Sequence, residues 1–376
     1  MVDLHDGRIN RRNLIKTSHE ISRKYGRTVL KEGDLVVALR GKVGQIAIVP
    51  SDLSGANLTR GVALIALRHG YHNSFFKYYL SSSFGVNSLE RSMNGSALQE
   101  IPISSLRSIP IPLPPLAEQR AIAAALSDVD ALLAAQDALL AKKRAVKTAA
   151  MQQLLTGAQR LPGFSGAWTT KRLGEVFDLL RTGSQSRAQL SSTGDFGYIH
   201  YGDVHGHPSS HLDLDKTVLP RINSELVATL PHIEEGDWVM VDASEDYDGV
   251  GKSYEVVNVR GRRVVAGLHT LLMRGDKTEV ADGFKGYIPF IPSFRDQLVR
   301  MATGTSVYGI SKTSVVDAEL LLPPVDEQRA IAAVLSDMDA EIEALEAQRG
   351  KTEQVKQGMM QELLTGRTRL VPVEVA

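Results

Sequence analysis

The chain has 376 residues, 43% hydrophobic and 23% charged, with equal numbers of acidic and basic side chains and no cysteine. That length exceeds one ordinary core and predicts roughly two to four domains, while zero cysteine excludes disulfides, thiolate metal sites and thiol nucleophiles. No apolar run reaches the ~20 residues that cross a bilayer, and the polar start MVDLHDGRINRRNLIK is no secretory signal, so no membrane partner is expected and the cytoplasm is the default compartment.

The zero net charge hides an asymmetry. Residues 1–113 hold 15 Lys and Arg against 8 Asp and Glu, residues 114–161 add +2, residues 162–322 hold 16 against 21, and residues 323–376 hold 6 against 10. The front is basic, which marks a polyanion partner or a solvated surface. In residues 1–109, LKEGDLVVALRGKVGQIAIV (30–49) and MNGSALQEIPISSL (93–106) alternate apolar residues with Gly, the pattern of short strands and turns. The basic candidates for DNA contact here are Arg8, Arg11, Arg12, Lys16, Arg40, Lys42 and Arg60, since base edges and phosphates are met largely by Arg, Lys and polar side chains.

Residues 110–161 predict a long helix. Pro114-Pro115 pre-sets its start, Glu118 places a carboxylate in the first turn where the helix dipole favours it, and Gly157 in LLTG caps its end. Apolar residues fall at 3–4 spacing at Ile122, Leu126, Val129, Leu133 and Leu140, resuming at Leu154, a seam of coiled-coil type. Residues 162–318 predict a second α+β domain. IEEGDWVMVDASEDYDGVGKSYEV (233–256) resembles residues 30–49 through Gly33-Asp34 and Gly236-Asp237, and ATGTSVYGISKTSV (302–315) resembles residues 93–106 through Gly95 and Gly304. The basic candidates are Lys252 and, around the turn NVRGRR, Arg260, Arg262 and Arg263.

Residues 319–376 repeat the helix. Aligning 114–161 on 323–370 needs no gap and gives 27 identities in 48 pairs, with a matching seam at Ile331, Leu335, Met338, Ile342 and Leu345, resuming at Met359 and Leu363. Glu327 and Gly366 repeat the start and the cap. Each helix spans about 40 residues, or roughly 60 Å. Tandem order makes antiparallel packing the simplest solution, with a globular domain at each end and a pseudo-twofold between them. Glu118, Gln119 and Arg120 recur as Glu327, Gln328 and Arg329. Charge repeated without a local partner suggests that these six residues dock two identical subunits.

At this point the chain resembles the specificity subunit of Type I restriction–modification enzymes. The resemblance rests on the doubled PP-x-x-EQR-x-IA-x-x-L-x-D-x-D helices closing on LLTG, and on WTTKRLGEVFDLLRTGSQSR (168–187), which looks like the opening of that family's recognition domains. It implies two target recognition domains (1–109 and 162–318) separated by two conserved helical spacers (110–161 and 319–376). It also implies a bipartite double-stranded DNA target, two methyltransferase subunits held on the helices, and restriction and translocase subunits reached through the complex. Half-site centres about one helical turn, ~34 Å, apart are expected. Four residues inserted into one helix, about 6 Å of rise, should then lengthen the unread spacer only.

Three motifs point elsewhere. DGVGKS (248–253) ends like a phosphate-binding loop, but Asp246 stands where its first Gly should be. His200, His205, His207, His211 and Asp203 could ligate zinc, yet the front domain's MVDLHDG keeps only His5, so a polar loop is expected. No Asn/Asp-Pro-Pro-aromatic stretch of the amino-methyltransferase kind occurs, so no catalytic residue and no cofactor is expected. Competing readings are a nuclease or methyltransferase acting alone, and a coiled-coil adaptor that binds only protein. Finally, no equivalent of residues 168–187 precedes MVDLHDG, whose Asp3 matches Asp203. Losing that segment would expose an apolar face and a sheet edge, and the expectation is an upstream reading frame with a Trp and an LGE-like stretch rather than a natively shortened domain.

Overall fold

In the computed structural model of the chain, residues 4–5, 7–12, 14–93, 100–247 and 249–370 are described. Asp3, the anchor Gly95 and Asp248 of DGVGKS lie outside them. The chain divides into two compact units, residues 1–139 with 345–376, and residues 140–344. Two long helices, Leu116–Leu154 and Val325–Leu363, are each shared between the units.

The first unit is built on a three-stranded antiparallel sheet with Leu35–Ala38 at its centre, Ile46–Ile48 on one side and Val62–Ile65 on the other. The central strand reads LVVA and is buried on both faces, as a β-branched apolar run should be. Leu35 and Val37 face Phe75, Phe76, Tyr79 and Leu80 of the helix Asn73–Ser81, whereas Val36 and Ala38 face Leu4, Leu30, Ala47 and Val49. The turn before this strand has Gly33 at φ 84° and Asp34 accepting from the Lys31 N–H at 2.8 Å. The core closes on Ile122 and Leu126 from one long helix and Met360, Leu363 and Leu364 from the other. Within this unit the long helices run antiparallel: Asp130 meets Lys356, Gln136 meets Thr352, and Asp137 meets Arg349.

The second unit repeats the frame and enlarges it. Trp238–Val241 is central, paired antiparallel with Ser253–Val257 and Thr270–Gly275. Gly236 also stands at φ 84°, and Asp237 accepts from the Glu234 N–H at 2.8 Å. The same turn therefore feeds the same strand. Here the sheet has five strands, because Phe177–Leu180 adds antiparallel to Thr270–Gly275 and His211–Asp213 adds parallel to Ser253–Val257. A second sheet, Arg221–Ile222, Phe196–Ile199 and Val264–Ala266, covers one side. Thr169–Arg172 pairs with Glu319–Leu322. The core includes Leu154 and Leu155 from the first long helix and Ile331, Ala332 and Leu335 from the second, and the helices again run antiparallel, with Lys143 on Glu341 and Lys147 on Asp339.

Both long helices end as LLTG requires. Gly157 and Gly366 adopt φ 71° and 73°, and the N–H groups of Gln159 and Thr368 return to the carbonyls of Gln153 and Glu362. A left-handed residue past the last turn satisfies carbonyls that would otherwise be orphaned, and Gly takes that conformation without a Cβ clash. No helix among the described residues is long and apolar enough to cross a membrane.

Candidate nucleic-acid interface and the repeated helix motif

The EQR motif divides into three roles. Glu118 is buried and receives two hydrogen bonds from the Arg369 guanidinium, at 2.6 and 2.5 Å. Glu327 is buried and clasped in the same way by Arg160, with Trp168 Nε1 donating at 3.1 Å. Arg160 and Arg369 each sit three residues past the capping Gly, so the end of one helix grips the first turn of the other. A guanidinium fork on a carboxylate makes a strong, directional pair, and it holds the Glu118 carboxyl below its usual range.

Gln119 and Gln328 are buried staples. Gln119 accepts from the His72 N–H at 3.0 Å and donates to the Pro114 carbonyl at 2.8 Å. Gln328 accepts from the Ala281 N–H at 2.9 Å and donates to the carbonyls of Glu279 and Pro323 at 2.8 and 2.9 Å. The premise that these residues lack a local partner is therefore corrected: buried carboxylates and amides must be paired inside the fold, and these four are. Arg120 and Arg329 remain exposed, the latter beside Asp326 at 2.7 Å.

A third repeated contact was not foreseen from the sequence. Tyr78 donates to Asp130 at 2.7 Å and Lys356 pairs with Asp130 at 2.9 Å; Tyr287 donates to Asp339 at 2.8 Å and Lys147 pairs with it. All three partners are 209 residues apart. Burial alone would raise Asp130, but Lys356 and Tyr78 hold it below the usual carboxylate range, and burial with the Asp130 charge pushes Tyr78 up to about 12. The signal lay in the unused match of YHNSFFKYY (71–79) to VADGFKGYI (280–288) at the offset of the helices.

The basic candidates fall into distinct settings. In the first unit Arg11 pairs with Asp52 at 3.0 Å and Arg40 with Glu100 at 2.7 Å. Arg8 and Arg12 are exposed, Lys42 borders a small apolar pocket, and Lys16 and Arg60 line one large cavity. In the second unit Arg260 and Arg262 converge on Asp215 at 3.0 and 2.7 Å. Their turn is left-handed at Asn258, Arg260 and Gly261, with Glu235 accepting from the N–H groups of Asn258 and Val259. Arg263 is exposed and lies over the Phe196 ring at 5.1 Å. Lys252 donates to the His205 carbonyl at 2.6 Å. This ammonium is thus occupied by the protein's own backbone.

The histidines also diverge. His205, His207 and His211 each place Nε2 against a different backbone carbonyl, those of Ala243, His211 and Gly283. Among the described residues no three His, Asp or Glu side chains are grouped to hold a metal ion. His205 instead belongs to an aromatic cluster. Tyr201, 37% exposed, meets His205 and His269 edge-on at 6.2 and 5.5 Å, and His269 Nδ1 faces Asp242 at 3.1 Å. His269 holds φ 55°, a left-handed conformation unusual for a side chain of its size. Nearby, Ala243–Ser244 pairs with Tyr308–Gly309, and Tyr247, 48% exposed, stacks on Tyr308 at 3.9 Å. The two loops that the faint repeat singled out are therefore laced together. The first unit makes the same link as a bridge between Arg40 and Glu100.

The fold mixes α and β elements around two long helices, each of which contributes to both units. The family model for the Type I restriction modification DNA specificity domain matches residues 6–142. The specificity subunit of the Type I restriction enzyme MjaVIII from Methanocaldococcus jannaschii is 24% identical over 79% of this chain and 70% of its own length. That of EcoBI from Escherichia coli is 29% identical over 50% of this chain and 38% of its own. The S subunit of a Type I restriction–modification system from M. genitalium has 16% identity, covers 90% of this chain and 84% of its own, and superposes with a TM-score of 0.56, a likeness of fold. Residues 6–142 thus match the DNA specificity domain of Type I restriction–modification systems, and the chain is similar over most of its length to their specificity subunits.

Proposed function

We propose that the chain reads a bipartite double-stranded DNA target, one half-site per recognition domain, and scaffolds two methyltransferase subunits, and through them the restriction subunits, on its helices. It is itself non-catalytic in this reading. The observation that carries it is the repetition of one frame: the Gly-Asp turn, a central strand between two antiparallel neighbours, the Gln staple and the Glu–Arg clasp all occur twice. Two copies of one reading unit suit two short sites separated by unread base pairs. The coiled-coil pairing of the whole helices, the pseudo-twofold and the four-segment division at 109, 161 and 318 belong to the same proposal.

Exposed Arg8, Arg12, Lys16, Lys42, Arg60 and Arg263 are assigned to DNA, joined by Tyr201, which opens the short helix Tyr201–Gly206, and Tyr247, on a turn. Arg11, Arg40, Lys252, Arg260 and Arg262 are assigned to shaping those surfaces through their internal partners. Arg120 and Arg329 are assigned to subunit docking. The test is methylome sequencing of a host given this chain with its methyltransferase. Two short specified blocks around a fixed unspecified spacer are expected; an uninterrupted motif would sink the bipartite reading. A duplex titration across salt separates this reading from a protein-only adaptor, whose binding would show no counterion slope.

A further inference from the structure

The turn that carries His269 is fixed on every side. It joins Val264–Ala266 of the smaller sheet to Thr270–Gly275 of the five-stranded one. The Thr270 N–H and hydroxyl both donate to the Gly267 carbonyl, at 3.3 and 2.6 Å, closing a β-turn with His269 in its third position. The Gly267 N–H donates to the Ile199 carbonyl at 2.9 Å, and the Leu268 N–H to the Tyr198 hydroxyl at 3.1 Å. The Tyr201 N–H donates to the Leu268 carbonyl at 3.3 Å, and a Cβ at Gly267 would run into the Tyr198 ring. Within this frame His269 is held at φ 55°, where a turn favours Gly or Asn and a larger side chain is strained. Strain of that kind persists only where the surroundings over-determine it, and it gathers at binding sites.

The fold itself does not need this side chain. Matching Leu35–Ala38 to Trp238–Val241 places Gly61 at the position of His269 and Leu39 at that of Asp242. The backbone link is the same in both units. The Leu39 N–H donates to the Gly61 carbonyl at 2.8 Å, and the Asp242 N–H to the His269 carbonyl at 3.3 Å. The second unit adds an imidazole and a carboxylate to that link, with Nδ1 facing Asp242 Oδ1 at 3.1 Å. The imidazole is 50% exposed and the carboxylate 27%, so the pair opens outward on its histidine side. Tyr201 meets the ring edge-on at 5.5 Å and limits its tilt. Nε2 has no hydrogen-bond partner among the described residues. A carboxylate can only accept, so Asp242 requires the proton on Nδ1, and a neutral ring then presents Nε2 as an acceptor.

We propose that His269 is a base-reading residue of the second recognition domain and that Asp242 is its positioning residue. Nε2 accepts from an exocyclic amino group in the major groove, adenine N6 or cytosine N4. Guanine O6 and thymine O4 at the same place would meet it lone pair to lone pair, so the contact discriminates amino-bearing from keto-bearing bases. This inference rests on the proposed DNA-reading function and adds to it one base position, its class of base and the half-site that holds it.

The test is selection from random duplexes by the full chain with its methyltransferase subunits, at about pH 8, where an ordinary imidazole is neutral. The unmodified chain should select adenine or cytosine at the position in question. His269→Gly accepts φ 55° without strain, so the fold should survive. That variant should lose about tenfold of discrimination at one position of one half-site and leave the other half-site as it was. Asp242→Asn can satisfy either ring tautomer. It should keep its affinity and accept keto bases at that same position, a broadening that a merely structural carboxylate would not cause. A His269→Gly profile unchanged at every position would overturn the proposal. So would an equal loss of affinity for all sequences, which would make His269 a phosphate contact or a structural group. An unchanged Asp242→Asn profile would overturn the tautomer role. Selection of no sequence by the unmodified chain would instead sink the DNA-reading function itself. Should His269→Gly fail to fold, the isosteric Asp242→Asn decides alone.

Discussion

The first unit's central strand lies in a three-stranded sheet, whereas the equivalent strand of the second lies in a five-stranded sheet with a second sheet beside it. Yet both keep the same Gly-Asp turn, the same Gln staple, the same Tyr–Asp–Lys contact and the same Glu–Arg clasp. What is constant is the part that fixes each unit to the helices. The outer strands and loops are where the units part company, and under the proposed function those are the parts that meet the two half-sites. A rigid frame with variable loops lets specificity change without disturbing the joint.

The comparison is broken most severely through the cores. Leu126 is fully buried in the first unit and Leu335 in the second. Truncating either to Ala should cost about 3 kcal/mol. Each change is expected to lower one calorimetric transition and leave the other, with Leu126→Ala giving the lower melting temperature because its core is smaller. A single transition shifted equally by both would show that the units do not unfold separately.

The clasp comes next. Arg369→Ala leaves the buried Glu118 carboxylate without its fork and should cost about 2 kcal/mol; Arg160→Ala should cost the same through Glu327. The clasp also makes the first unit acid-sensitive. Glu118 is held low by Arg369, and Asp130 is held low by Lys356 and Tyr78 against the upward pull of burial. A carboxyl depressed in the folded state contributes in full above its unfolded value, near 4, and loses that contribution as pH falls through its folded value. The first unit's melting temperature should therefore fall below about pH 4, and Glu118→Gln should flatten that fall. An unchanged pH profile in Glu118→Gln would remove the clasp from the account.

Much of this frame was legible in the sequence, and the illegible part has a physical pattern. Helix ends were readable because Pro and Gly act locally, and the capping glycines stand where LLTG put them. The apolar spacing was readable at Ile122, Leu126, Ile331 and Leu335, all buried in the cores of their own units, whereas Val129 and Met338 are only half-buried. Glu118 and Gln119 were misread because their partners, Arg369 and the His72 backbone, lie 251 and 47 residues away. Charge on a helix reads as surface until its distant partner is known. Repetition of Arg160 and Arg369 at the helix offset was the available clue. The aromatic cluster around Tyr201 was only partly legible: Tyr201 and His205 share the short helix Tyr201–Gly206 at i,i+4, but His269 comes from a distant turn.

A smaller effect separates neighbouring arginines. Arg262→Ala removes one of two cations from Asp215 and a bond to the Asn258 carbonyl, both at the surface, and should cost about 0.5–1 kcal/mol of stability. Arg263→Ala gives up its exposed contact with the Phe196 ring, about 0.5 kcal/mol, and should chiefly lower the salt slope of DNA binding by about 1, as expected for one lost phosphate contact. Equal effects of the two on the slope would mean that the turn acts as one patch.

The smallest effect on folding is expected at the exposed third residue of the repeated motif. Arg120 borders a shallow pocket with His72 and Leu116, and its charge, after burial, helps hold His72 below the usual range. Arg329 pairs with the exposed Asp326, an i,i+3 contact worth a few tenths of a kcal/mol. Reversal of both to Glu should therefore change stability by less than about 0.5 kcal/mol. Because both arginines ride on helix turns fixed by buried Glu and Gln neighbours, their positions are set by the frame while their charges remain available to a partner. The double reversal should weaken methyltransferase assembly, measured by sedimentation or mass photometry, and each single reversal should remove one subunit rather than two. A folded double variant that assembles with unchanged affinity would leave these arginines as solvated surface and move the docking role elsewhere on the helices.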